Sequence, residues 1–104
     1  MCMKLLKYRD NEQVYTTADR IIFPPFTNGW TLKNNGNTNV VLNNAETLPP
    51  GASKSIGGNY GEIYDGRLDI RFTMPTPAPV TPLNKAVLTF KYYTGAIPFP
   101  NEKV

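Results

Sequence analysis

Turn-forming residues interrupt this chain at intervals of roughly 8–15 residues, and no stretch between them carries apolar side chains at helical spacing. An amphipathic helix needs about ten or more residues with apolar positions three and four apart, and the turn spacing leaves no room for one. The chain is therefore confined to short strands. Its 104 residues suffice for a single core and hence for a single domain.

The stretches between the turns read as strands. Residues 3–8 are apolar and end at a polar turn, Asp10-Asn11, and residues 14–17 are rich in β-formers. Residues 20–23 run into Pro24-Pro25, which lack the N–H that a ladder needs. Residues 30–33 and 39–42 flank Asn34-Asn35-Gly36-Asn37. An Asn-Gly pair supplies the positive φ angles of a tight turn, so this spacing predicts a β-hairpin. Leu48-Pro49-Pro50-Gly51 predicts a type II turn, with Pro50 fixing φ and Gly51 taking the left-handed position. A short strand over 53–56 is broken by Gly57-Gly58-Asn59.

Residues 67–72 alternate most cleanly. Leu68, Ile70 and Phe72 share the face expected to meet the core, and Arg67, Asp69 and Arg71 share the solvated one. Residues 74–82 place a proline at every second or third position, which favours an extended polyproline-type path between two sheets or along an edge. Residues 86–93 carry bulky groups on both faces, as a central strand does. About seven short strands joined this way predict an all-β fold, a single small β-sandwich of immunoglobulin-like or jelly-roll type. The sandwich is expected over residues 1–94, with an extended C-terminal tail over 95–104.

Composition narrows the chemistry. The net charge is +3 and the sequence pI about 9.1, but the basic residues are scattered singly. Nucleic-acid and polybasic membrane sites concentrate their charge, so neither partner is expected. No apolar run approaches the ~20 residues of a membrane span, and residues 1–7 are too short and too lysine-rich for a signal peptide. The chain is expected to be made in a cytoplasm and to act alone, without a linker to a further domain. Its single cysteine, Cys2, permits no intrachain disulfide, and histidine is absent. Without histidine the commonest general base is missing, and zinc, haem and iron–sulfur sites lose their usual ligands.

No catalytic residue, metal or cofactor is expected. The acids are dispersed, and Glu62 and Asp65, which flank Tyr64, read as ordinary loop carboxylates rather than a catalytic pair. The loop at Tyr64-Asp65-Gly66 offers too few oxygens for calcium. The glycines of Gly57-Gly58-Asn59-Tyr60-Gly61 are not followed by the Gly-Lys-Ser/Thr of a phosphate loop. Trp30 is expected in the core.

The order Trp30-x-Leu32-x-Asn34-x-Gly36, Val40-Val41-Leu42 and Leu48-Pro49-Pro50-Gly51-x-Ser53-x-Ser55-Ile56 resembles immunoglobulin-like and jelly-roll sandwiches, in which such turns precede short strands. Asparagine-rich, histidine-free and closed by a proline-flanked tail, the chain is similar to the small head-decoration or auxiliary capsid proteins of tailed-bacteriophage virions. The resemblance implies a non-enzymatic structural protein of the virion that binds and stabilises a capsid or related lattice. Its partner would be a capsid or other virion protein, or further copies of itself. The alternative is a small carbohydrate- or ligand-binding module whose exposed aromatics stack on a sugar ring. The candidate protein-interface residues are Ile97 and Phe99, held out of regular strands by Pro98 and Pro100, with Tyr93 beside them.

Overall fold

The computed structural model describes residues 4–59 and 61–98, with side chains over 8–59 and 61–95. Eight strands occur: β1 (Lys4–Tyr15), β2 (Asp19–Ile21), β3 (Thr27–Asn34), β4 (Asn39–Leu42), β5 (Glu46–Leu48), β6 (Ser53–Gly57), β7 (Leu68–Thr73) and β8 (Ala86–Pro98). They form two antiparallel four-stranded sheets, in the orders β1-β8-β3-β6 and β2-β7-β4-β5. The sheets pack face to face as a small β-sandwich, the all-β architecture expected from the strand and turn pattern.

Alternation builds the core between the sheets. Leu32 of β3, Leu88 of β8, Val40 of β4 and Leu68 of β7 are fully buried. Each such side chain removed from water contributes about 1.5–3 kcal/mol. Trp30, also buried, meets Tyr64 edge-on at 6.0 Å and stacks beside Phe23 at 6.4 Å. On β7, Leu68 and Ile70 point inward with Phe72 half-buried; of the face expected in solvent, Arg71 and, just before the strand, Arg67 are exposed, while Asp69 is half-buried. β8 lies between β1 and β3, the central place that its two bulky faces anticipate.

Two local expectations change. Asn34-Asn35-Gly36-Asn37 is not a hairpin: β3 and β4 lie in different sheets, and the segment arches between them. Asn34 is buried, and its Nδ2 donates to Thr38 O at 2.6 Å and Leu48 O at 2.9 Å. Asn35 N and Asn37 N donate to Lys85 O and Leu83 O, both at 2.9 Å. A Cβ on Gly36 would collide with Leu83 O, so this glycine serves close backbone approach rather than a left-handed turn.

The hairpin instead joins β4 to β5. Asn43 and Asn44 have φ of 52° and 55°, and Ala45 N donates to Leu42 O at 2.9 Å, the pattern of a type I′ turn. Asp10-Asn11 is no turn either. Its backbone continues β1 without a break, opposite Lys91 and Phe90, because pairing along β8 outweighs the turn preference of two residues. The type II turn stands, with Gly51 at φ 85° and Ala52 N donating to Pro49 O at 3.0 Å. The proline-rich segment connects β7 to β8, and so one sheet to the other, with bends at Thr76-Pro77 and Val80-Thr81.

Candidate protein interface

β1 and β8 are longer than the body they help to build. The pairing of β8 with β3 ends at Thr27 opposite Tyr92. Beyond it β8 pairs only with β1, from Tyr8 opposite Tyr93 to Lys4 opposite Pro98. Six residues of β8 thus form, with β1, a two-stranded arm about 20 Å long. A bulge between Lys7 and Tyr8 marks its base, where an extra residue bends and twists a ribbon. The molecule measures 63 × 20 × 17 Å with a radius of gyration of 17.3 Å. A compact chain of this length has a radius of about 13 Å.

Among the described residues both edges of the arm are open: β1 is an edge strand of its sheet, and in the arm β8 has no strand on its far side. Unpaired ladder groups are templates for another strand. An isolated two-stranded ribbon is marginal in water, so the arm gains most from a partner.

Of the sequence-derived interface residues, Ile97 sits on the arm opposite Leu5 and Tyr93 at its base, while Phe99 lies outside the described residues. Residues 95–98, expected to begin a tail, continue β8 as strand; Pro98 is tolerated because it closes the strand. Tyr93 is half-buried. Its hydroxyl accepts from Gly61 N at 2.8 Å and lies 3.1 Å from Asn28 Nδ2.

The sandwich end from which the arm leaves carries a cleft of about 340 Å³ walled by Phe23, Pro24, Phe26, Ile63 and Tyr64, with Asp65 at its side. Phe26 is 60% exposed and has φ of 64°, a left-handed backbone that bulky residues avoid. Ile63 is 54% and Ile22 86% exposed. Strain and exposure on the same aromatic residue are costly in a free molecule and are found at binding surfaces.

The surrounding hydrogen bonds hold this end rigid. Tyr93 N donates to Phe26 O at 3.0 Å, Tyr64 N to Thr27 O at 2.6 Å, and Thr27 Oγ1 to Pro24 O at 2.7 Å. Buried Asn28 fixes the far loop by donating to Asn59 O at 2.7 Å and Glu62 O at 2.9 Å. The reading of the sequence missed the cleft; its signal was Phe26 directly after Pro24-Pro25, an aromatic that no alternating strand pattern claims.

A second concavity, about 220 Å³, lies on the outer face of the β1-β8-β3-β6 sheet. Gly29 forms its floor, with Asp10, Thr31, Ser55, Thr89 and Lys91 around it. Thr31 Oγ1 and Ser55 Oγ are hydrogen-bonded at 2.8 Å, and Lys91 Nζ lies 4.8 Å from the Tyr8 ring centre. Trp30 Nε1 is buried without a hydrogen-bond partner among the described residues.

The described residues include no group of three or more histidine, cysteine or acidic side chains placed to hold a metal. No described helix is long and apolar enough to cross a membrane. Burial, and then the charge of Asp19, push the Tyr15 hydroxyl above the ordinary tyrosine pKa. No family model, no curated protein and no solved structure was found to match the chain.

Proposed function

We propose that the chain is a non-enzymatic structural protein of a larger assembly, an auxiliary or decoration protein that binds and stabilises a virion capsid or related lattice. The projecting arm carries this reading: a 104-residue domain extended to 63 Å spends two strands on reach rather than on core. Open strand edges favour a protein partner, since they offer main-chain hydrogen bonds that need another backbone. Ile97 and Phe99 supply apolar anchors in the terminal segment, with Asn101, Glu102 and Lys103 as its polar rim.

The test follows the chain through gradient fractionation of the material in which it naturally occurs. Co-migration with a particle at fixed stoichiometry supports the reading; migration as a free protein of 11.6 kDa overturns it. A chain lacking residues 96–104 should remain folded and no longer join the particle.

The polar concavity over Gly29 favours one other reading, a binding module for a neutral hydroxylated ligand such as a sugar. Hydroxyls, one carboxylate, one ammonium and a nearby tyrosine ring suit that chemistry. Saturation-transfer NMR against a panel of mono- and disaccharides decides it: signal lost in Thr31→Val supports the module, and no signal from any sugar rejects it.

A further inference from the structure

The chain holds two Asn-Gly pairs, Asn28-Gly29 and Asn35-Gly36. In such a pair the glycine carries no Cβ, so its amide nitrogen lies open to the carbonyl carbon of the asparagine side chain before it. The fold treats the two pairs differently. Asn28 is 2% exposed in β3; its Nδ2 donates to Asn59 O and Glu62 O, and Gly29 is paired with both β6 and β8. Movement there requires strands to separate.

Asn35 lies just past the end of β3 and is exposed, and its side-chain amide has no hydrogen-bond partner among the described residues. Gly36 N donates to Asn34 Oδ1 at 3.1 Å, and residues 36–38 form a bend rather than a ladder. Freeing this nitrogen takes the loss of one side-chain bond, without parting any strands.

We propose that Asn35 is a site of spontaneous covalent modification, at which its side-chain amide is lost to water and the arch between the sheets is altered. Gly36 N gives its proton to solvent and attacks Asn35 Cγ. The Cγ–Nδ2 bond breaks, and Nδ2 takes up a proton and leaves as ammonia. The product is a cyclic imide. Water then adds to one of its two carbonyl carbons, and the bond from that carbon to Gly36 N breaks. Opening at Cγ leaves aspartate; opening at the main-chain carbonyl leaves isoaspartate, with an extra carbon in the main chain. Nothing is oxidised or reduced, and water is the only co-reactant.

The arch has no slack for isoaspartate. Asn35 N and Asn37 N are bound to Lys85 O and Leu83 O, and a Cβ on Gly36 would collide with Leu83 O. A longer backbone between these anchors pushes the arch off the segment that leads into β8.

The experiment ages the purified full chain in mildly alkaline and mildly acidic buffer and follows it by intact mass and peptide mapping. Folded wild type should exchange amide for carboxyl at Asn35 at least about tenfold faster than at Asn28, which reacts only on local opening. The rate should rise with pH, because the nucleophile is the deprotonated amide. In urea the two pairs should react alike. Asn35→Gln alters an exposed side chain, should keep the wild-type fold by circular dichroism, and should lose the mass gain. Asp65-Gly66 forms the same imide without changing the mass, so mass separates the two sites. In the aged chain, hydrogen exchange should quicken over residues 34–38 and 83–85. The proposal is overturned by a folded chain that keeps Asn35 intact while the urea-unfolded chain loses it, or by Asn28 reacting as fast as Asn35. It is equally overturned by an N35Q chain that gains mass like wild type, or by unchanged exchange at the arch after ageing. The readout needs only this chain and is independent of the particle reading.

Discussion

β8 passes through two different environments. Over residues 86–92 it runs between β1 and β3, with Ala86, Leu88 and Phe90 buried against the facing sheet. Over residues 93–98 it keeps β1 as its partner and loses β3. The covalent strand and its pairing continue, but the third strand stops. In the first half, stability comes from the apolar face and the backbone ladder is satisfied on both sides. In the second, beyond the bond from Tyr93 N to Phe26 O, the ladder among the described residues is satisfied on one side only. The comparison teaches that the number of neighbours, rather than strand propensity, divides this chain into a part that folds and a part that reaches.

Leu88→Ala, in the body half of β8, should have the largest effect. It empties a fully buried site and should cost about 2–5 kcal/mol in denaturant unfolding. A loss below about 1 kcal/mol would mean that the core does not hold this half.

Asn28→Ala acts at the junction. It removes the donor to Asn59 O and Glu62 O and the neighbour of the Tyr93 hydroxyl. The acceptors belong to exposed residues and regain water, so the loss should be about 0.5–1.5 kcal/mol for each bond. Hydrogen exchange should quicken first over residues 61–66 and at Tyr93. Uniform quickening across both sheets would show that arm base and body are one unit.

Deleting residues 96–104 should change the unfolding free energy of the body by no more than about 0.5 kcal/mol. A larger loss would make the arm part of the fold.

The smallest effect concerns Tyr15, the last residue of β1, at the end of the body away from the arm. Its hydroxyl ionises later in the folded chain than in the unfolded one, through burial and then through Asp19. The stabilisation from keeping it neutral is therefore unaffected below the ordinary tyrosine pKa of about 10 and declines as pH rises from there through the folded value. Asp19→Asn should move its tyrosinate absorbance titration to lower pH; no movement would assign the whole shift to burial.

Several features were legible because they depend on a few neighbouring residues. Pro50-Gly51 specifies the type II turn, and Leu68 and Ile70 point inward because alternation along one strand needs no partner to be read. Strand pairing is another matter. Asn34-Asn35-Gly36-Asn37 carries the chemistry of a hairpin, yet Asn34 Nδ2, Asn35 N and Asn37 N donate to the carbonyls of Leu48, Lys85 and Leu83, which are distant in sequence. Asn43-Asn44 carries a similar signal and does form the hairpin, because β4 and β5 share a sheet. The candidate interface divides in the same way. Ile97 and Tyr93 were marked by their place near a proline-flanked end, whereas Phe26 and Ile63 come together only where two loops meet.

By itself the sequence determined that this chain is all strand, where several of its turns lie, which faces are apolar, and that no histidine chemistry is available to it. The tertiary structure decided which strands are neighbours, that Asp10-Asn11 runs straight through a twelve-residue strand, and that pairing with β3 stops six residues before the end of β8. Local preferences choose among a few backbone shapes for each residue and differ by about 1 kcal/mol or less. The burial of a core side chain and the pairing of a long strand are worth more and act between residues far apart in sequence, so they choose the partners and leave the arm without a third strand.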